Sequence, residues 1–536
     1  MCGIFAYIGS TVNTTRFIEE QHELGKSRGP ESSHFIKVGG INTTNQNIYF
    51  GFHRLAINGL NNKSNQPFCI SGIYLICNGE IYNYRELYDM LKINDFSFYR
   101  QTNSDCEVII HMYLKYGIKY LLDILDGVFA FVLYDSTKDI VYAARDPYGV
   151  RPLYLSKLNY MSGKKIKTIM FASELKQLTN FGSDIEHFPP GSYMVVSLDE
   201  KTILSSDIQK YSSMGFSRMI TTNYHEVIYN SLVQSVKKRV LGTTERPIAC
   251  LLSGGLDSST ITAIVNSFLP RGLLETYSIG LPGSTDLIYA RKVADYLGTK
   301  HTELLLTEDE FFNSIPEVIK AIESYDTTTV RASVGNYLIA KYISTNSEAK
   351  VIFNGDGSDE LTGGYKYFNF VKDPLEFDRE CRRLLSDIYL FDVLRSDKSI
   401  SSNGLEPRTP FLDRSFVQNY LSIPPEVRCH SVNGKCEKYL LRESIEYCNP
   451  ALLPKEVLWR TKEAFSDGVS SLEKSWYQII HEKLKNEDNK HIPSIELEKR
   501  YYHYLFQNDY PGREGIIPYY WMPKYTNSDD PSARTI

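Results

Sequence analysis

Over the first two hundred residues the apolar positions fall into short, strand-sized runs, at 3–8, 49–57, 73–77, 128–134, 140–144, 168–172 and 193–197. Some are apolar at consecutive positions, as in Ile73-Tyr74-Leu75-Ile76, the pattern of a strand covered on both faces. Two helices interrupt them. The clearer lies at 105–116, with Val108, Ile109, Met112 and Tyr116 at helical spacing. Together these elements predict stacked sheets with helices on the outside. Residues 205–222 are polar and Ser/Thr-rich and read as a linker.

Beyond the linker the period changes. A helix at 224–241 carries Ile228, Leu232, Val236 and Val240 on one stripe, and a strand at 248–252 follows. A Gly-rich turn then leads into a helix with Ile261, Ile264, Val265 and Phe268 at i, i+3, i+4 and i+7, ended by Pro270 and Gly272. A strand at 275–281, a helix at 286–297 stopped by Gly298, and strands at 302–306 and 350–354 continue the alternation. Alternating β and α predicts a doubly wound parallel sheet. The remainder reads as mainly helical. The domains expected are therefore 2–204, a linker at 205–222, and 223–536.

Composition narrows the class. A chain of 536 residues with 42% hydrophobic and 23% charged positions is a folded multidomain protein. A net charge of −5 carries no nucleic-acid footprint, and no apolar run reaches membrane-spanning length. The N-terminus has neither the charged start nor the apolar stretch of a signal peptide, so a cytoplasmic protein is expected. Nine cysteines without a CxxC pair suit a reducing compartment.

The candidate chemistry begins at Cys2. Trimming of the initiator Met1 would give it a free α-amino group, whose ordinary pKa of roughly 7.7–8.0 makes it a base near neutral pH. Thiol and base would then belong to one residue. In the second half Ser253-Gly254-Gly255-Leu256-Asp257-Ser258-Ser259 lies between a buried strand and a helix N-terminus. Its N–H groups and hydroxyls would cradle an anion, helped by the helix dipole. It lacks the lysine of a Walker A loop and matches the SGGxDS loop of the ATP pyrophosphatases, which release AMP and pyrophosphate. A second turn, Asn354-Gly355-Asp356-Gly357-Ser358-Asp359-Glu360, also follows an apolar strand. Acidic groups facing a triphosphate require a cation between them, so Asp257 and Asp359 are the candidate Mg²⁺ ligands.

From Cys2 to Asp530-Pro531-Ser532-Ala533-Arg534 the chain resembles the glutamine-hydrolysing asparagine synthetases. The resemblance rests, in the first half, on Arg28-Gly29-Pro30, His53-Arg54-Leu55, Asn78-Gly79-Glu80-Ile81-Tyr82-Asn83, Ser104-Asp105-Cys106-Glu107 and the run 145–154. In the second it rests on the two loops above, on 277–284 and 325–333, on Gly363-Gly364-Tyr365 and on Lys462-Glu463-Ala464-Phe465-Ser466-Asp467-Gly468. It implies an αββα-layered N-terminal-nucleophile hydrolase domain of the class II glutamine amidotransferases, joined to an α/β synthetase domain that uses ATP and Mg²⁺. Cys2 would attack glutamine, with the Asn78 side chain and Gly79 N–H as oxyanion donors, worth about 3–4 kcal/mol each. Arg54, Leu55, Ala56, Ile57, Asn58, Glu80 and Asp105 would bind glutamine, Arg54 at its α-carboxylate and Asp105 at its α-ammonium. Leu252, Ile279, Asn354 and Gly355 would contact adenosine, and Ser253, Gly254, Gly255, Asp257, Ser258 and Ser259 the phosphates. Arg331 and Lys462 would neutralise phosphate or acyl-adenylate charge. Ammonia would pass between the sites by a dry route.

Two positions depart from the family's pattern. Asp356 stands where the family has Glu, a methylene shorter, and Glu31 where it has Asp after Arg-Gly-Pro. The reaction implied is aspartate + glutamine + ATP + water → asparagine + glutamate + AMP + pyrophosphate, with small molecules as partners and neither nucleic acid nor membrane. Two alternatives stay open: an amidotransferase acting on another carboxylate, such as a β-lactam synthetase-like enzyme, and a degenerate relative that binds without catalysis. The assembly state is open too, a homodimer being one option.

Overall fold

The short apolar runs of the first half become two six-stranded antiparallel sheets. The strands are β1 (Gly3–Gly9), β2 (Ser32–Val38), β3 (Asn47–Arg54), β4 (Phe68–Ile70), β5 (Ile73–Ile81) and β6 (Gly127–Asp135). They continue with β7 (Ile140–Arg145), β8 (Tyr154–Asn159), β9 (Ile166–Ala172), β10 (Asp184–His187), β11 (Ser192–Leu198) and β12 (Ile203–Lys210). The spatial orders are β10-β8-β9-β1-β3-β2 and β12-β11-β7-β6-β5-β4. This computed structural model describes the whole chain except residues 10–12, 40–46, 95–98, 160–165, 183, 199–202, 222, 244, 463–467, 472, 533–534 and 536. Two units separate at Ser213/Met214.

Both faces of the second sheet are dry, as its consecutive apolar residues require. On β5 and β6, Ile76, Ala130 and Val132 join Ile4, Ala6, Phe50 and Phe52 of the first sheet in one core. Their neighbours Leu75, Cys77, Phe129, Phe131 and Leu133 point the other way, against Leu87 and Leu91 of α2 (Tyr84–Asn94) and Ile109, Met112 and Leu121 of α3 (Val108–Ile124). On the outer face of the first sheet, α1 (Thr15–Glu23) sets Phe17 against Phe181 and His22 against Phe5 and Phe35. The layers are thus αββα. The helix expected from 105 opens instead as a 3₁₀ turn, Asp105–Glu107, whose N-cap is Ser104, and α3 bends at Gly117, φ 77°.

The expected linker begins inside this unit. Residues 205–210 belong to β12, an edge strand paired along β11. An edge strand is held by backbone hydrogen bonds on one side only, so its Ser/Thr-rich sequence passes for a loop.

The second unit is built on five parallel strands, β13 (Ile248–Leu251), β14 (Glu275–Gly280), β15 (Lys300–Leu305), β16 (Val351–Phe353) and β17 (Glu406–Arg408), in the order β15-β14-β13-β16-β17. Three-residue β17, with Pro407 at its centre, gives no strand signal in the sequence. Around the sheet pack α4 (Tyr224–Leu241), α5 (Leu256–Ser267), α6 (Thr285–Leu297) and the later helices; Gly298 ends α6 in the left-handed conformation. From β13 the chain winds outward to β15, then returns to β16 on the other side of β13. The winding direction reverses between β13 and β16, which is where an open α/β sheet binds ligands. Among the described residues no helix is long and apolar enough to cross a membrane.

Behind β1 lies a stacked histidine pair. The His22 and His53 rings are 3.9 Å apart and 6° from parallel. His53 hydrogen-bonds Ser33 Oγ (2.8 Å) and the His22 carbonyl (2.9 Å), whereas the His22 ring nitrogens are buried without hydrogen-bond partners among the described residues. Burial pushes His22 down to about 2 and lowers His53 as well. The unfolded chain, with histidine at its ordinary 6.5, therefore takes up the proton first. The stability contributed by the neutral pair is complete above that value and is lost progressively as pH falls from it toward 2. The protection factors of the β1 and β3 amides, with the intrinsic pH dependence of exchange divided out, should fall between pH 7 and 5. His22→Phe, a flat ring without the idle nitrogens, should flatten that dependence; an unchanged slope would assign it to other groups.

Candidate active sites

In the first unit Cys2 sits immediately before β1, with its thiol 3.7 Å from the Leu55 carbonyl. Its own carbonyl accepts from Arg28 Nε (3.1 Å), and Arg28 Nη1 pairs with Glu174 at 2.7 Å, both side chains fully buried. Gly29 lets this segment lie against β3: a Cβ there would stand 2.3 Å from the His53 carbonyl. Met1 is present and buried, so the Cys2 nitrogen is a peptide nitrogen in this structure. Glu31 accepts the Ala56 N–H at 2.8 Å and so ties the Arg-Gly-Pro turn to the Leu55–Ala56–Ile57 stretch, all buried.

Asn78 lies on β5, fully buried, and neither its amide nitrogen nor its amide oxygen has a hydrogen-bond partner among the described residues. A buried orphan amide costs about 1–3 kcal/mol, the mark of a group kept for a ligand. Gly79 beside it packs so closely on β6 that a Cβ would meet the Val128 carbonyl at 2.4 Å. Glu80 accepts from Asn58 Nδ2 (3.0 Å), and Asp105 accepts the Ile81 N–H (2.7 Å), which fixes it at the end of β5. Arg54, expected at glutamine's α-carboxylate, here spans the loop after it, donating to the Gly59 carbonyl, to Asn61 O (2.9 Å) and to Asn65 Oδ1 (2.6 Å). The 145–154 motif is a turn knot: the Asp146 carboxylate accepts the N–H groups of Phe129, Val150 and Arg151.

In the second unit one pocket opens where β13 and β16 end. Leu252, Tyr277, Ile279 and Ile339 form apolar wall, while Ser253, Gly255, Asp257, Ser258, Asn354 and Gly355 line the polar end. Ser253 and Ser258 hydroxyls hold each other at 3.0 Å. Gly255 is the N-cap of α5 without a side-chain cap, so the first N–H groups of this helix face the pocket. The expected phosphate residues Gly254 and Ser259 are not on its wall. Gly254 (φ +71°) packs against Tyr289 and Ala290 of α6, and the Ser259 hydroxyl is buried without a partner among the described residues.

The two loops interlock. Ser358 Oγ donates to Asp257 Oδ1 (2.8 Å), and a Cβ on Gly355 would strike Asp257 Cβ at 2.8 Å. Asp257 and Asp359 converge on one cation, the Lys438 ammonium, 2.6 Å from each. Lys462 Nζ lies 2.7 Å from Asp359 and 3.9 Å from Asp257. Burial opposes charge on Asp359, but Lys438 and then Lys462 outweigh it and hold the carboxyl well below its ordinary range. Burial likewise opposes charge on Lys462, and Asp359 and Asp257 reverse that, keeping it an ammonium. The Lys462 N–H is fixed by Glu437 Oε1 (2.9 Å), itself held by Arg442 (2.6 Å). Residues 463–467 of the Lys462 motif, and Ala533 and Arg534 of the closing one, lie outside the described residues.

Asp356 also lines the pocket. Burial raises its pKa, and Arg395 at 3.2 Å offsets this only in part, with Asp392 adding to the rise. Its second oxygen is buried without a partner among the described residues. Arg331 is a correction. Its guanidinium is not on the pocket wall, because it is clamped by Glu498 (2.6 and 2.8 Å) and Asp530 (2.7 and 2.9 Å), carboxylates that fill the fork meant for phosphate. Sequence reasoning missed Glu174, Asp392, Arg395, Glu437 and Lys438. Glu174 and Lys438 have partners remote in the chain, and the local pairs Asp392–Arg395 and Glu437–Arg442 look like ordinary surface ion pairs until the fold sets them beside Asp356 and Lys462.

Comparison with known proteins supplies the family. The glutamine amidotransferase domain profile matches residues 1–219, and the asparagine synthase profile matches 228–375 and 370–507. Glutamine-hydrolysing asparagine synthetases of Mus musculus and Homo sapiens are each 40% identical over 100% of this chain and 98% of their own length. The chain belongs to the glutamine-hydrolysing asparagine synthetases. Among solved structures, a glutamine phosphoribosylpyrophosphate amidotransferase from B. subtilis is 17% identical over 57% of this chain and 81% of its own, with a TM-score of 0.31. An NMN synthetase from Francisella tularensis is 11% identical over 57% of this chain and all of its own, with a TM-score of 0.26. Overlaps at that level carry no weight here.

In this chain the Cys2 end is braced by the Arg28–Glu174 pair. Glu174→Ala removes the carboxylate from the fully buried Arg28 guanidinium and should cost the first unit about 3–5 kcal/mol. Chemical denaturation followed by hydrogen exchange of β1 measures it. Wild-type stability would mean that Arg28 keeps Cys2 in place without Glu174.

Proposed function

We propose that the two units divide one synthesis: L-aspartate, L-glutamine, ATP and water become L-asparagine, L-glutamate, AMP and pyrophosphate. The Cys2 thiolate adds to the glutamine side-chain carbonyl. The Asn78 amide and Gly79 N–H hold the oxyanion, and the α-amino group freed by loss of Met1 carries the proton to departing ammonia. Water then releases glutamate from the thioester. In the second unit the β-carboxylate of aspartate attacks the α-phosphorus of ATP and pyrophosphate leaves. Ammonia adds to the resulting acyl-adenylate, AMP departs, and a proton is lost to give the amide.

The residues present fit Mg²⁺. Asp257 and Asp359 converge on a single point that already carries a positive charge, the arrangement of a cation site with hard oxygen donors. When bound there, Mg²⁺ would offset phosphate charge. Leu252 and Ile279 offer apolar faces to the base, and the Ser253 and Ser258 hydroxyls and the N-terminus of α5 hold phosphate. Lys462 offsets charge beside Asp359. Asp356 acts in the adenylation step, its burial-raised carboxyl held by Arg395. The convergence of Asp257, Asp359 and Lys462 on the SGGLDSS loop carries this reading. The nine cysteines form no disulfide among the described residues, which suits a cytoplasmic setting.

Product analysis tests the whole. Asparagine, AMP and pyrophosphate should appear in equal amounts from ATP, Mg²⁺, aspartate and glutamine, while ADP and phosphate would overturn the assignment. Cys2→Ala should abolish synthesis from glutamine and spare synthesis from ammonia; equal loss of both in a folded protein would refute the division of labour. Asp356→Ala should lower aspartate-dependent pyrophosphate release by about 10²-fold, the penalty for losing a tightly placed group. Asp356→Glu should remain active. Undiminished release from Asp356→Ala would make that carboxylate incidental.

A further inference from the structure

Lys438 has no part in the scheme above, yet the second pocket is shaped around it. Its side chain is only 1% exposed, and its Nζ lies 2.6 Å from Asp257 Oδ2 and 2.6 Å from Asp359 Oδ1. Two features of the fold serve to place it. The backbone of Lys438 is left-handed, φ 58°, a conformation that costs a residue with a Cβ about 1–2 kcal/mol. The path of the side chain crosses Gly364, where a Cβ would lie 1.9 Å from Lys438 Cε and 2.3 Å from Asp359 Oδ1. Any other residue at 364 would close that path.

The ammonium therefore occupies the point between the two carboxylates where a divalent metal would bind. Mg²⁺ bonds its oxygen ligands at about 2.0–2.1 Å and cannot share that point with an ammonium. Without this charge the two carboxylates would face each other with only Lys462, 2.7 Å from Asp359 and 3.9 Å from Asp257, to offset them. With the ammonium in place the site is already neutralised, and a free metal ion gains little by entering. A nucleotide triphosphate changes the balance, since it brings negative oxygens to which the ammonium can turn while the metal takes the carboxylates.

We propose that Lys438 is an internal counter-ion that occupies the metal position in the nucleotide-free enzyme and makes divalent-metal binding at Asp257 and Asp359 conditional on ATP. The proposal rests on the reading of those carboxylates as the metal ligands. Its consequence is an order of events: the metal enters with the nucleotide, not ahead of it.

Mn²⁺ binding followed by electron paramagnetic resonance tests this on the full chain. Wild-type protein should bind Mn²⁺ weakly alone and at least about 10-fold more tightly, roughly 1.4 kcal/mol, with a non-hydrolysable ATP analogue. Lys438→Met should bind Mn²⁺ about 10-fold more tightly than wild type without nucleotide. Equal Mn²⁺ affinity of wild type with and without the analogue, or no gain in Lys438→Met, overturns the proposal. If Lys438→Met is poorly folded, thermal unfolding supplies the readout. Mn²⁺ without nucleotide should raise its midpoint and leave that of wild type unmoved; equal shifts, or none, overturn the proposal. Asp359→Asn separates the two readings: nucleotide-dependent Mn²⁺ binding that survives this change places the metal elsewhere and fails the ligand assignment itself.

Discussion

Two carboxylates meeting at the ends of neighbouring parallel strands require a positive charge between them, and the second unit is organised around that requirement. Asp257 comes from the first turn of α5 and Asp359 from the short helix Ser358–Thr362, brought together because β13 and β16 are adjacent in the sheet. Gly355 permits the two loops to touch, Ser358 links them, and Gly364 clears the way for Lys438. Lys462 approaches from a loop whose backbone is held by Glu437 and Arg442. Each is explained by the need to hold two anions close without water to screen them.

The first unit solves a different problem by similar means. The Cys2 carbonyl, just before β1, is gripped by Arg28, which Glu174 holds in turn. Asn78, the proposed oxyanion donor, is held on β5 by strand pairing, its side-chain amide without a partner among the described residues. Asp356 and the Asp257–Asp359 pair crowd one pocket, and Asn78 is a buried amide without a partner among the described residues, as the His22 ring and the Ser259 hydroxyl are elsewhere. The fully paired Asp146 and Arg331 are structural.

Asp356 shows how a one-methylene departure from the family is accommodated. Its carboxyl lies against Arg395, which also pairs with Asp392, so charge on the shorter side chain is supported from the helix Asp392–Ser401. Glu31, the other departure, reaches the Ala56 N–H and closes the turn beside Cys2. One is shorter than the family's residue and one longer, and both find a polar partner.

Much was legible from the chain itself. Short apolar runs located most strands, helical spacing gave α4 and α6 nearly to the residue and located α5, and contiguous motifs named Cys2, Asn78, Asp257, Asp359 and Lys462 as candidates, because such signals are local. Edge strand β12 and three-residue β17 were lost for the same reason: their hydrogen bonds come from distant segments, and their side chains carry no apolar signature. The partners of charge were decided by tertiary structure alone. Arg331 reads in isolation as a phosphate ligand, and only the fold brings Glu498 and Asp530 to it. Lys438 reads as one surface lysine among many, and only the fold buries it between two carboxylates. A motif records which groups the chemistry needs, but electrostatic pairing depends on distances of a few ångströms between residues far apart in the chain, and these exist only once the chain has folded.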